Sequence, residues 1–342
     1  MNELVLLIDA AKERKAHELI LRAGSEPQIR IGQKLHKLEG VKGDPRWLMS
    51  ILEEPEKEEL MEVLVLNGMK RIEDLPFKFS MHLDMEGLGG SVSWKSENVH
   101  WGFPDLITEM LTKTQGLHLV SGVRKSGKTS AVKELLEKVL SNSNKMVALI
   151  SDYDEWDYDL DSSVLKFNTQ DLMSTQRVPE MADLIIFDSE DSAVAEWALR
   201  LSEQGRQVLV SWTANNLTQA FESFTDQLML SKNSLPRDVQ SRRFASQLGF
   251  AVGLKLIPGL ENQFEAAYEL LVTTPEIKNQ LKLGNFQRTN EWMKETTEKA
   301  GSRSLNQTLL GLLLKRKVDL KAAFSVSPDP TELDAMLRKV GI

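Results

Sequence analysis

The residues best suited to chemistry lie together in one decapeptide, "SGVRKSGKTS" at positions 121–130. Gly122, Gly127, Lys128 and Thr129 satisfy the spacing G-x-x-x-x-G-K-[ST], in which glycines let the backbone wrap closely around a phosphate. Successive backbone N–H groups and the positive end of a following helix then converge on the anion. Lys128 neutralises β- and γ-phosphate oxygens, and the Thr129 hydroxyl faces Mg2+. Ser126 and Ser130 flank these positions and complete the expected nucleotide-binding set. A solvated strand-to-helix turn that happens to be basic is the competing account.

A phosphate cradle does not by itself hydrolyse anything. Hydrolysis also needs an acid near the metal and a base or water-orienting group near the γ-phosphate. "LIIFDSED" puts Asp188 and Glu190 at the carboxyl end of an apolar strand, where α/β sheets build their sites. "LISDYDEWDYD" does the same for Asp152, with Asp154 and Glu155 beyond it. Asp188, Glu190 and Asp152 are thus the candidate catalytic carboxylates, and Thr129 with Asp188 the candidate Mg2+ ligands. Strand-end loops also carry solvated acids as a matter of course, and each of these residues fits that role equally well.

The elements that must position these groups can be read from hydrophobic period. "GLHLVSG", "MVALISD", "ADLIIFDSE" and "RQVLVSW" are short, nearly continuous apolar runs separated by helical patterns such as "AVKELLEKVL". That rhythm predicts a parallel sheet covered on both faces. "LGFAVGLKLIPG" and "FEAAYELLVTT" predict a hairpin extending it, and after Pro275 the pattern turns helical. Before residue 100, alternating segments such as "PQIRIGQKLHKL" and "FKFSMHLDM" join one charged helical stretch, "PEKEELMEVLVLNGM", in a small α+β domain. "MHLDMEGLGGSVSW" reads as a hairpin. The expected division is 1–100, 101–274 and 275–342.

With 342 residues, two domains are the natural expectation. The absence of cysteine excludes disulfides, thiolate catalysis and Cys-based zinc sites, and the five histidines show no ligand spacing. A net charge of −8 argues against nucleic-acid binding. No run approaches a membrane span, and "MNELVLLIDAAKERK" lacks the features of a signal peptide, so a cytoplasmic protein is expected. Trp94, Trp101, Trp156, Trp197 and Trp212 read as core or interface anchors. Arg242 and Arg243 read as helical residues facing either a neighbouring subunit or water. "LLGLLLKRK" reads as a core helix with a basic end, membrane contact being the alternative.

In this order, these segments resemble the twitching-motility (PilT-like) branch of the type II and type IV secretion ATPase superfamily. "AHELILRAGSEPQIRIGQKLHKLEG" is similar to the opening of its PAS-like N-terminal domain. "ADLIIFDSEDSAVAEWALRLSEQGRQVLVSWTANN" is similar to the stretch from the Walker B strand to the histidine box, and "PEIKNQLK" stands where a retraction-associated motif is found. The resemblance implies a RecA-like P-loop NTPase domain of α/β class, a small PAS-like α+β domain before it and a helical C-terminal region. It also implies ATP and Mg2+ as cofactors, a homo- or hetero-hexameric ring, and an inner-membrane pilus platform as partner. Laid on the catalytic boxes, Ser151 stands where glutamate is usual, Walker B reads Asp188 and Ser189 with its glutamate displaced or replaced, and Ser211, Trp212, Thr213 and Ala214 replace Thr-Leu-His-Thr. "FSMHLDMEGLGGSVSWK" carries no arginine where the family presents them, and Arg124 with Lys125 adds charge where glycine is usual. Nucleotide binding with slow or absent hydrolysis follows. An active retraction motor using shifted carboxylates is the alternative, and an unrelated P-loop kinase or GTPase a second, without an NKxD-type motif to support it.

Overall fold

A computed structural model describes the chain over residues 2–31, 34–40, 43–72, 75–94, 99–113, 115–152, 156, 161–173, 175, 177–189, 191–230, 235–260 and 263–341. Two compact units are present, one formed by Met1–Asn98 with Pro258–Phe264, the other by Val99–Ile257 with Glu265–Ile342.

The first unit is a twisted antiparallel sheet with helices. Its strands are β1 (Glu18–Arg22), β2 (Gln28–Ile31), β3 (Lys34–Lys37), β4 (Val65–Ile72), β5 (Leu75–Asp84) and β6 (Gly87–Trp94), in the order β3-β2-β1-β6-β5-β4. The expected hairpin is β5 with β6, closing at Leu83↔Leu88 and Asp84↔Gly87. Inward residues of the sheet, among them Leu19, Leu21, Phe79 and Val92, pack with Leu4 and Leu7 of the Asn2–Glu13 helix. One expectation needs correcting, because "PEKEELMEVLVLNGM" is not one helix. A helix spans Glu54–Val63 behind a Glu53/Glu56 capping box, Leu64 turns to φ 60, and β4 begins at Val65. The β-branched valines and the alternation of "VLVLNGM" favour a pleated strand over another helical turn.

The second unit carries the site. Its strands are β7 (Gly116–Gly122), β8 (Val147–Ser151), β9 (Val164–Phe167), β10 (Leu184–Asp188), β11 (Gln207–Thr213), β12 (Leu248–Pro258) and β13 (Phe264–Val272), ordered β13-β12-β7-β11-β10-β8-β9. From β12 to β9 every neighbouring pair is parallel. Period-two alternation sends Ile185 and Phe187 to one face, with Trp197, Phe221 and Phe224, and Leu184 and Ile186 to the other, with Ala131, Val132, Leu135 and Val139 of the Lys128–Asn142 helix. Each fully buried Val, Leu, Ile or Phe among them contributes about 1.5–3 kcal/mol of gross burial free energy, so both helical layers are firmly held. After Pro275 the chain is helical as expected, and the Leu305–Leu314 helix opens with a Ser304/Gln307 capping box.

Because the strands run parallel, their carboxyl ends come to one edge. The ladder sets Thr213 opposite Gly122 and Ser151 opposite Asp188. A parallel sheet gathers its functional groups in this way.

Candidate functional site

The loop between β7 and the Lys128–Asn142 helix is shaped by side chains as much as by glycine. The Ser126 amide donates to the Val123 carbonyl at 3.1 Å, closing a turn, and Gly127 caps the helix at φ 86. Lys125 is also left-handed, at φ 64, which most non-glycine residues avoid. A Cβ on Gly122 would meet the Ser126 Oγ at 2.2 Å, and one on Gly127 would meet Trp101 Cζ2 at 2.9 Å. Both motif glycines are thus required by close approach.

Lys128 is buried, and its ammonium donates to the carbonyls of Gly122 at 3.1 Å and Val123 at 3.3 Å. The charge is thereby held folded against the loop. Ser126 Oγ, also buried and turned toward Gly122, has no hydrogen-bond partner among the described residues. Thr129 is half-buried in the first turn, whereas Arg124, Lys125 and Ser130 are exposed. The loop therefore presents donors and positive charge around a strand-to-helix corner, an arrangement suited to an anion.

Trp101 is a contact that the sequence does not disclose. Glu134, in the middle of the Lys128–Asn142 helix, accepts from the backbone N–H groups of Trp101 at 2.7 Å and Gly102 at 3.2 Å, and pairs with His100 at 3.2 Å. This strap lays the Trp101 indole against Gly127, where it stacks on Phe103 with 5.9 Å between centroids. Type alone marks Trp101 as an anchor. Its link to the loop depends on a carboxylate 33 residues away.

The carboxylate side is built differently. Asp188 follows the alternation of β10 onto the face covered by the Lys128–Asn142 helix, and it is fully buried. Its Oδ2 accepts from the Trp156 indole N–H at 2.8 Å, while Oδ1 has no hydrogen-bond partner among the described residues. Lys133 lies over the Trp156 ring at 5.0 Å from its centre. Ser151 donates to the Asp188 carbonyl at 2.9 Å, and Ser189 donates to Asp152 while accepting from the Asp191 amide at 3.0 Å. The two serines at the expected glutamate positions thus cross-link the ends of β8 and β10. Glu190, with Asp154 and Glu155, lies outside the described residues.

The end of β11 completes the edge without a titratable group. The Ala214 amide donates to the Gly122 carbonyl at 3.3 Å, Thr213 is exposed, and Trp212 turns to the opposite face to donate to Ser223 at 2.9 Å. Arg243, expected toward a neighbour or water, instead pairs within the chain, with Glu203 at 2.8 Å and Glu196 at 3.1 Å. Hydrogen bonds that its guanidinium donates to these carboxylates, Glu203 foremost, raise its pKa and keep it charged.

No protein-family model matches this chain, and no curated protein does. Solved structures do. The pilus retraction motor PilT with bound ADP superposes with a TM-score of 0.75 at 21% identity, covering 96% of this chain and 98% of that one. The ATPase DotB of Yersinia pseudotuberculosis gives 0.71 at 14% identity, over 95% and 92% of the two chains. DotB of Legionella pneumophila gives 0.68 at 14%, over 93% of each. At such identities the likeness establishes the fold, a RecA-like P-loop ATPase architecture preceded by a small α+β unit, along nearly the whole chain.

Proposed function

We propose that this chain belongs to the pilus-retraction branch of the secretion ATPases and binds ATP with Mg2+, turning it over slowly or not at all by itself. One contrast carries the reading. A phosphate loop at 122–129 shares one sheet edge with an Asp188 carboxylate that is buried and hydrogen-bonded to the Trp156 indole. Amides at the start of the Lys128–Asn142 helix would hold a phosphate, and Lys128, now bonded to the Gly122 and Val123 carbonyls, would supply the counter-charge to its oxygens. Thr129 offers one oxygen to Mg2+, which when bound neutralises the β- and γ-phosphates. The unpartnered Ser126 Oγ supports this fit, since it leaves a buried hydroxyl ready for a ligand atom.

Catalysis is weak in this account because the groups that would orient water are committed elsewhere. Ser151 and Ser189 cannot act as general bases, and Asp152 is held by Ser189. Loss of one charge-stabilising group in phosphoryl transfer costs about 10³-fold or more in rate. The second reading, a working motor with shifted carboxylates, draws on the unpartnered Asp188 Oδ1. That oxygen is buried, while its neighbour Oδ2 accepts from Trp156.

The rest of the proposal rests on the shared fold and on the resemblance of the boxes. It comprises a cytoplasmic hexameric ring, docking on an inner-membrane pilus platform, and a division near residues 100 and 275. No helix among the described residues is long and apolar enough to cross a membrane. Phosphate release by the purified chain, with a Lys128→Ala control, tests the enzymatic part. Release at least about 10³-fold below an ordinary turnover of about 10 s⁻¹ is expected. Vigorous, Lys128-dependent release overturns the slow reading, and absence of nucleotide binding overturns both. Sedimentation with and without ATP tests the ring, with a nucleotide-dependent shift to hexamer expected and an unchanged monomer contradicting it.

A further inference from the structure

We infer that the turn joining the Leu305–Leu314 and Leu320–Val326 helices is a peripheral docking surface for an anionic lipid bilayer, its cations among the headgroups and its leucines in the interface. Nothing in this inference depends on the phosphate loop.

Charge sets this stretch apart from the rest of the chain. Against a net charge of −8 overall, residues 305–328 hold four cations, Lys315, Arg316, Lys317 and Lys321, and one carboxylate, Asp319. The end of the first helix, "LLGLLL" at 309–314, carries no polar side chain on any face. A helix apolar all round ordinarily belongs inside a core or a membrane. Here the core takes only part of it. Leu305 and Leu309 are buried with Val318, Leu333 and Leu337, whereas Leu310, Leu312 and Leu313 are half-buried and Leu314 is 50% exposed. Across the turn, Leu320 is 49% exposed.

The turn is fixed by its own bonds. The Arg316 amide donates to the Leu313 carbonyl and the Lys317 amide to the Leu312 carbonyl, both at 2.9 Å, and buried Val318 pins the chain to the core. The one carboxylate is occupied as a helix cap, Asp319 accepting from the Ala322 amide at 2.6 Å. Lys317 pairs with Glu265 at 3.6 Å. Lys315, Arg316 and Lys321 are exposed and pair with no carboxylate among the described residues. Cations and exposed leucines thus share positions 314–321, so a surface that covers one kind must also meet the other. A nucleic acid would take the cations and leave Leu314 and Leu320 in water. An anionic bilayer takes both, phosphates against the cations and apolar side chains at the boundary of headgroup and acyl chain.

Three unpaired cations near an anionic leaflet correspond to roughly 100-fold in partitioning. The test is co-sedimentation of the full chain with vesicles of phosphatidylcholine alone and with one part in three of phosphatidylglycerol. The native protein is compared with the combined Lys315→Gln, Arg316→Gln, Lys321→Gln variant and with the combined Leu314→Ser, Leu320→Ser variant. Because all five positions are exposed, both variants should melt near the native temperature. The native chain is expected to bind the phosphatidylglycerol vesicles about 100-fold more tightly than the neutral ones, and less so as salt rises. The glutamine variant should lose that preference, and the serine variant should keep it while binding severalfold more weakly. Equal binding of the native chain to both vesicles, no binding to either, or an undiminished preference in the glutamine variant overturns the inference. So does self-association of the native chain without vesicles that the glutamine variant abolishes, since the turn then docks on a second copy.

Discussion

The end of β7 and the ends of β8 and β10 belong to one sheet edge yet handle their polar groups in opposite ways. At β7 the loop leaves a buried hydroxyl without a partner and a lysine exposed. At β8 and β10 the side chains bond one another, Ser151 with Asp188, Ser189 with Asp152, and Trp156 with Asp188, leaving Asp188 Oδ1 without a hydrogen-bond partner among the described residues. A site kept for a ligand leaves polar capacity unused, whereas a structural corner fills its own. The proposed function assigns binding and hydrolysis to separable parts of this edge: the loop keeps an unpartnered Ser126 Oγ beside exposed cations, whereas the corner spends its serines on cross-links and leaves over one buried oxygen, Asp188 Oδ1.

Removing the loop's buried charge should break this contrast most severely. Lys128→Ala is expected to weaken ATP binding at least about 100-fold by calorimetry, with the fold retained, since a phosphate cradle without its lysine loses its main counter-charge. Undiminished binding would mean that nucleotide sits elsewhere.

The next effect concerns Glu269 on β13, separated from the phosphate-loop strand β7 by β12. Its Oε1 accepts from the Leu217 amide at 2.8 Å, beside a cavity of about 170 Å³ that Asn215, Lys255 and Asn290 also line. Burial pushes its pKa up to about 7 from 4.5, against opposing pulls from the Leu217 amide and Lys255. The folded state thus favours the neutral acid. Its contribution to stability is complete below pH 4.5 and is lost as pH rises through about 7. Denaturant titrations should show Glu269→Gln gaining up to about 3 kcal/mol on the native protein at pH 8 and almost nothing near pH 4.5. Parallel pH profiles would rule out the buried ionisation.

Trp156→Phe sharpens the comparison from the other side. It deletes the one hydrogen bond described for the buried Asp188 carboxylate and should cost about 1–3 kcal/mol in urea unfolding. Combined with Asp188→Asn, the loss should be smaller than the sum of the two single losses, because both substitutions act on the same hydrogen bond; additive losses would place the stabilisation elsewhere. The smallest structural effect is expected for Ser126→Ala. Its hydroxyl has no hydrogen-bond partner among the described residues, so stability should change by less than about 0.5 kcal/mol while nucleotide affinity falls severalfold.

Much of this was legible in the sequence, because it depends on local pattern. The continuous apolar runs read as parallel strands, the turn glycines as the β5–β6 hairpin, and the G-x-x-x-x-G-K-T spacing as the loop itself. The end of the Glu54–Val63 helix was missed, since the apolar residues of "VLVLNGM" fit a helical face until Leu64 turns left-handed. Trp101 against Gly127 and Trp156 on Asp188 were beyond reading, because sheet order, not spacing, brings them together. Ser151 and Ser189 show as departures from a family pattern, but their use as cross-links between β8 and β10 needs the ladder that aligns those strands.

The central claim, a loop that holds nucleotide beside a corner that does not cleave it, is tested most directly by the chemical state of what stays bound. The protein is loaded with ATP and Mg2+, passed rapidly through a desalting column, held at 25 °C for about ten minutes, on the order of 10³–10⁴ turnovers of an ordinary enzyme, and denatured to release its nucleotide. The account expects bound nucleotide that is mostly intact ATP and is lost in Lys128→Ala. Retained nucleotide recovered mainly as ADP would contradict it.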